Sequence, residues 1–200
     1  MKLEEYYRDV DPRWCQGDII REVPHTHLKP PLTAVRKVTT RRGEMFAPFA
    51  YHLGTPEGEN PVNNPPQGGF KFAEGDQVVA FCQLAFGIVI SNDCEMDKDP
   101  KHRLIALIRP LDPLPEQDQQ TIREHRNVSD CYLPAYPGII GESYVDFRRM
   151  TTLHPTILQN TERVLSLTEE GLKYLHIQLI RFVTRLDVSP EALDRLPKLP

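Results

Sequence analysis

Apolar residues along this chain come in short bursts, rich in β-branched side chains and cut by proline, glycine and asparagine. Runs of roughly four to eight such residues between turn formers are too short for helices and predict buried or half-buried strands. Seven strands are expected, at 17–23 (GDIIREV), 34–40 (AVRKVTT), 44–52 (EMFAPFAYH), 77–82 (QVVAFC), 86–91 (FGIVIS), 103–109 (RLIALIR) and 143–149 (SYVDFRR). A further edge strand is expected at 164–167. Two segments change period. Residues 116–126 (EQDQQTIREHR) predict a short polar helix, and in SLTEEGLKYLHIQLIRFVTRL the residues Leu172, Leu175, Leu179 and Phe182 recur on one helical stripe. Ser166 and Glu169 have capping-box spacing at the start of that helix. One more helical turn is expected near the end, in SPEALDRLPKLP.

The fold class expected is therefore mostly β, of α+β type, with peripheral helices and a C-terminal amphipathic helix. With 200 residues, 40% of them apolar, a single domain over 1–200 is expected. The proline, glycine and asparagine content of residues 54–69 (GTPEGENPVNNPPQGG) cannot build a packed element and predicts a flexible surface loop.

Charge narrows the partners. Twenty-four basic against twenty-eight acidic residues leave a net charge of −4, so no global field draws the chain to a polyanion, and nucleic acid must meet a local basic patch. No run approaches the roughly 18 consecutive apolar residues of a membrane span, and MKLEEYYRDVDPRW lacks the apolar centre of a secretion signal. A cytoplasmic protein without membrane contact is expected. Cys15, Cys82, Cys94 and Cys131 form no C-x-x-C pair, so neither disulfides nor a zinc site is expected. His25 and His27 share a face if extended, but no third ligand accompanies them, and the expected cofactor and metal content is none.

Three places carry candidate chemistry. The stretch SNDCEMDKD sets Asp93, Cys94 and Glu95 at the end of an apolar strand. Its carboxylates disfavour a thiolate, so Cys94 acts as a nucleophile only if a cation such as Lys98, Lys101, His102 or Arg103 offsets them. Arg36, Lys37, Arg41 and Arg42 form a basic strip beside Phe46 and Phe49, a combination that can track a nucleic-acid backbone while stacking on bases. In SYVDFRRM, strand alternation puts Tyr144, Asp146 and Arg148 on one face and Val145, Phe147 and Arg149 on the other.

The order of these pieces is GDII, then GIVISND, then LIALIRPL, then LPAYPGIIGESYVDFRRMTTLHPTIL, then a final helix. It resembles the PemK/MazF family of toxin endoribonucleases over roughly 17–23 and 86–184, with the residues between as an enlarged insertion. The resemblance implies an SH3-like β-barrel, commonly a homodimer, that cuts single-stranded RNA without metal and is restrained by an antitoxin protein. It puts Asp146 at the family's aspartate, with Arg148 close behind. The expected catalytic set is Asp146, Arg148, Asp93, Glu95 and Cys94, and the expected RNA-binding set is Arg109, Arg149, Arg36, Arg41 and Arg42. Two positions depart from the family pattern: LAF stands where an arginine usually precedes the V-I-S strand, and RPLDP has no threonine. These departures leave an alternative, a catalytically degenerate barrel that acts as a protein- or RNA-binding regulatory module.

Overall fold

The computed structural model describes residues 3–26, 32–40, 43–51, 77–79, 82–92 and 102–186. It forms two compact units, one from the chain before Thr26 and after Gln83, the other from Thr26–Gln83. The strands are β1 (Tyr7–Arg8), β2 (Asp18–Thr26), β3 (Leu32–Thr40), β4 (Gly43–Tyr51), β5 (Gln77–Val79), β6 (Cys82–Val89), β7 (Arg103–Pro110), β8 (Asp130–Leu133), β9 (Ser143–Leu153) and β10 (Arg163–Leu167). The helices are α1 (Leu3–Tyr6), α2 (Glu116–Arg123), α3 (Pro155–Leu158) and α4 (Glu169–Thr184). Among the described residues no helix is long and apolar enough to cross a membrane.

The smaller unit holds a three-stranded antiparallel sheet in the order β4-β3-β5. Its hairpin runs in unbroken register from Leu32↔Tyr51 to Thr40↔Gly43, with Arg36 opposite Ala47. Arg41, Arg42, the 54–69 segment and the Asp93–Cys94–Glu95 cluster lie outside the described residues.

In the larger unit seven strands form a curled antiparallel half-barrel in the order β1-β10-β2-β6-β7-β9-β8. The curl brings the ends of that order together. The Tyr6 hydroxyl donates to the Tyr132 carbonyl at 2.8 Å, and the Tyr7 hydroxyl donates to the Pro134 carbonyl at 2.7 Å. Both tyrosines are buried, so each needs a partner for its hydroxyl, and the carbonyls at the far edge supply it.

The apolar runs of β6 and β7, and the Ile19–Ile20 pair of β2, follow from burial on both faces. Successive residues serve different cores: Ile19, Ile88 and Ala106 enter one with Leu175 and Phe147, while Ile20, Val89 and Ile105 enter another with Leu153 and Leu158. Each sealed Ile or Leu contributes roughly 1.5–3 kcal/mol by leaving water. Helix α4 lies on the first core through Leu175, with Leu172, Leu179 and Phe182 beside it, as the stripe predicts. The cap differs from expectation. Ser166 is a buried residue of β10, and Thr168 caps the helix instead, its hydroxyl accepting the Gly171 amide at 3.1 Å. The strand takes Ser166 because Ser166 pairs with both Arg8 and Asp18, one on each side.

Gly17, the residue before β2, cannot be replaced freely. Its φ is +84°, and a Cβ there would come within 2.7 Å of Leu172 Cδ2. The glycine of GDII thus lets α4 approach the start of β2.

Candidate functional site

The site begins with an irregularity in β9. From Ala106↔Met150 to Leu107↔Asp146, β7 advances one residue while β9 goes back four, so three residues, Phe147, Arg148 and Arg149, are extra. A bulge of this kind bends its strand and re-aims side chains. Phe147 turns into the core, 1% exposed, with its ring 5.7 Å from that of Phe182. Its amide donates to the Ser129 carbonyl at 3.1 Å. The Asp146 carboxylate accepts the Arg148 amide at 3.1 Å, a side-chain-to-backbone bond two residues on that holds the turn.

Simple alternation would send Arg149 away from Asp146. The bulge instead brings it back, with Arg149 Nε 3.4 Å from Asp146 Oδ2. Arg148 Nε lies 3.0 Å from Oδ1, and Arg109 Nη1 lies 3.8 Å from Oδ2. Three guanidiniums therefore converge on one carboxylate that is 1% exposed. A second buried carboxylate completes the group. Asp130 of β8 lies opposite Asp146 in register, and its Oδ1 accepts from Arg148 Nη2 at 3.1 Å.

Burial drives the charge state of this second acid. It pushes the Asp130 carboxyl up to about 6, with Arg148 pulling it down and the neighbouring Asp146 adding to the rise. Tyr144 stands between the strands, 5.9 Å from the Arg109 guanidinium across its ring face, and burial raises its hydroxyl as well.

The aspartates are sealed while the arginines are not: Arg109, Arg148 and Arg149 keep 38%, 55% and 33% of their side chains exposed. Three cations against two anions leave a surplus of one positive charge, rooted in the sheet and open to solvent. Both Asp146 oxygens are occupied, one by the amide and Nε of Arg148, the other by Arg109 and Arg149. Such a carboxylate anchors cations, and at 1% exposed it is shut away from a substrate hydroxyl.

A cavity of about 620 Å³ lies elsewhere in the same unit, over Phe86, Ile108, Ile139 and Ile140. Its polar edge is the pair Arg123 and Glu142, bonded through Nε at 3.2 Å and Nη2 at 2.7 Å, with the Tyr132 hydroxyl also donating to Glu142. Those groups satisfy one another, and the cavity pairs an apolar floor with a polar edge that also includes Asp112.

Of the residues expected from sequence, the structure brings Asp146, Arg148, Arg149 and Arg109 together. Arg36 belongs to the other unit, and Asp93, Cys94, Glu95, Arg41 and Arg42 are not among the described residues. Asp130 went unrecognised, because the four residues of β8 are too few to stand out by periodicity; the apolar pair Cys131 and Leu133, alternating with Asp130 and Tyr132, is the signal that marks it. Among the described residues no three His, Cys, Asp or Glu side chains gather as a metal site would require. Comparison with family models, with curated proteins and with solved structures returns no match for this chain.

Proposed function

We propose that the protein binds single-stranded RNA through the Arg109–Arg148–Arg149 cluster, as a divergent barrel of the PemK/MazF kind. One observation carries this reading: three partly exposed guanidiniums gather round two sealed carboxylates, Arg148 hydrogen-bonded to both and Arg109 and Arg149 at ion-pair distance, so cationic donors are grouped for phosphate oxygens before any ligand arrives. Prior anchoring reduces the side-chain ordering cost on binding, about 0.5–1.5 kcal/mol for each long side chain. An SH3-like barrel type, a homodimer and an antitoxin partner belong to the same proposal and rest on the order of sequence motifs.

Cleavage is a second reading, favoured by Asp130. A carboxyl near 6 lies close to the working range of a general base and stands beside the cations that would stabilise a phosphorane. That reaction requires Arg148 to swing off Asp130, which is 2% exposed in its present packing; the 2′-hydroxyl then gives its proton to Asp130 as O2′ bonds to phosphorus. The P–O5′ bond breaks, and O5′ takes a proton from water, leaving a 2′,3′-cyclic phosphate and a 5′-hydroxyl. Asp146 then serves as a positioning residue.

Fluorescence anisotropy with a labelled oligouridylate at low salt tests binding. Arg148→Ala is expected to weaken affinity about tenfold. Affinity unchanged in a folded Arg148→Ala variant overturns the reading. Incubating a long single-stranded RNA with the protein in EDTA and mapping the ends separates cleavage from binding alone.

A further inference from the structure

We infer that the anion affinity of the arginine cluster is linked to a proton on Asp130, so that the cluster binds anions more tightly as pH falls. The inference deepens the RNA-binding reading by naming a regulation of the same site, and it depends on that reading for the identity of the ligand.

The geometry makes the two acids unequal. Asp146 meets three guanidiniums and one amide, whereas Asp130 is held by Arg148 alone, with Arg109 acting from further away. Asp130 is 2% exposed, so little water offsets the loss of its hydration. The charged and titratable groups that face it are Arg148, Asp146 and Tyr144 from β9, Arg109 from β7, and Cys131 beside it on β8. The Cys131 thiol is pushed up to about 12 by burial and stays neutral, and Tyr144 stays neutral too. Asp130, whose carboxyl lies at about 6, changes charge near neutrality.

Protonation of Asp130 alters the cluster in two ways. The surplus of positive charge rises from one to two, because three guanidiniums then face one carboxylate. Arg148 Nη2 also loses its charged acceptor and is free to turn a stronger donor outward. A bound anion repels the ionised Asp130 and so raises its affinity for a proton; by linkage the proton raises the affinity for the anion by the same factor.

The test uses two probes whose charge is constant between about pH 5 and pH 8, sulfate and a short oligouridylate. Affinities of the wild type and of Asp130→Asn are measured across that range at fixed ionic strength. The wild type is expected to bind about tenfold more tightly at the acid end, the change expected if a bound anion moves the carboxyl by one pH unit. Asp130→Asn, which holds the site neutral, is expected to bind with little pH dependence and near the acid-limit affinity. Carboxyl-carbon NMR of the wild type follows Asp130 directly, without a variant. Its titration is expected near 6 in the free protein and higher with either probe bound.

Equal pH dependence in wild type and Asp130→Asn overturns the inference, as does an Asp130 titration that neither probe moves. If sulfate binding is proton-linked and oligouridylate does not bind, the RNA reading fails and the inference stands. If oligouridylate binds with an affinity independent of pH, the inference fails and the RNA reading stands.

Discussion

Asp18 and Asp146 are both sealed from solvent, and both face arginine, yet their arginines end differently. Asp18 meets one, Arg163, whose Nη1 lies 3.3 Å from its Oδ2. The rest of that guanidinium is consumed by the protein. It donates to the Arg13 carbonyl at 2.6 Å and the Pro12 carbonyl at 3.3 Å, and its carbon lies 4.6 Å over the Trp14 ring. Only 17% of the Arg163 side chain is exposed. Burial pushes the Asp18 carboxyl up, and the Cys15 amide and Arg163 pull it back. Asp146 meets three arginines, each keeping a third or more of its side chain in water. One pairing clips the 12–15 segment to β10 and ends there. The other holds unspent cations at the surface, and this surplus, more than the mere presence of a buried ion pair, marks a place where a ligand can bind.

Removing a cation from each separates the two roles. Arg163→Ala leaves Asp18 buried beside a lost clip, and a destabilisation of roughly 3 kcal/mol is expected in chemical denaturation. The folded protein that remains is expected to bind oligouridylate with wild-type affinity. A drop in affinity comparable to that of Arg148→Ala would remove the distinction between clip and site.

Asp130 provides a test from the acid side. Its folded carboxyl, at about 6, lies above the ordinary carboxyl range, so the folded protein takes up a proton between about pH 6 and pH 4 that the unfolded chain does not. Acidification through that window therefore stabilises the fold at this residue, and the stabilisation is absent at neutral pH. Asp130→Asn is expected to be more stable than wild type by about 2 kcal/mol near pH 7.5, with the gap closing toward pH 4. Unfolding titrations at both pH values measure it. A variant less stable than wild type at neutral pH would mean that pairing with Arg148 outweighs burial at Asp130.

Much of the scaffold was legible in the sequence and the centre of the site was only half so, for one physical reason. Strands β6 and β7 are buried on both faces over Phe86–Val89 and Leu104–Ile108 and announce themselves as apolar runs, and α4 carries a single apolar stripe. Asp146 and Arg148 could be placed on one surface by alternation. Arg149 could not, because a three-residue bulge cancels the period on which alternation depends, and nothing local in DFRRM distinguishes a bulged strand from a regular one. Asp130 was hidden for a related reason: its partners, Asp146 and Arg148, lie 16 and 18 residues further along the chain, and only the pairing of β8 with β9 brings them together. Ser166 shows the converse error. A capping-box spacing is a local signal, and the strand pairing that claims Ser166 is not local.

The bulge itself can be sharpened into the smallest of these expectations. Arg149 touches Asp146 through one contact at 3.4 Å, while Arg148 bonds both buried acids. Two guanidiniums and an amide remain on Asp146 when Arg149 is cut to alanine, so stability is expected to change by no more than about 0.5 kcal/mol. The cluster nevertheless loses one of its three exposed cations. If all three track the RNA backbone, the slope of log affinity against log salt should flatten by about 0.7 in Arg149→Ala, the share of one phosphate contact on a single strand. The same flattening in Arg148→Ala, alongside a larger loss of affinity, would show that the arginine recruited by the bulge acts as a simple phosphate contact while Arg148 is the oriented one. An unchanged slope in Arg149→Ala would confine the site to Arg109 and Arg148, and the bulge would then serve only to bury Phe147.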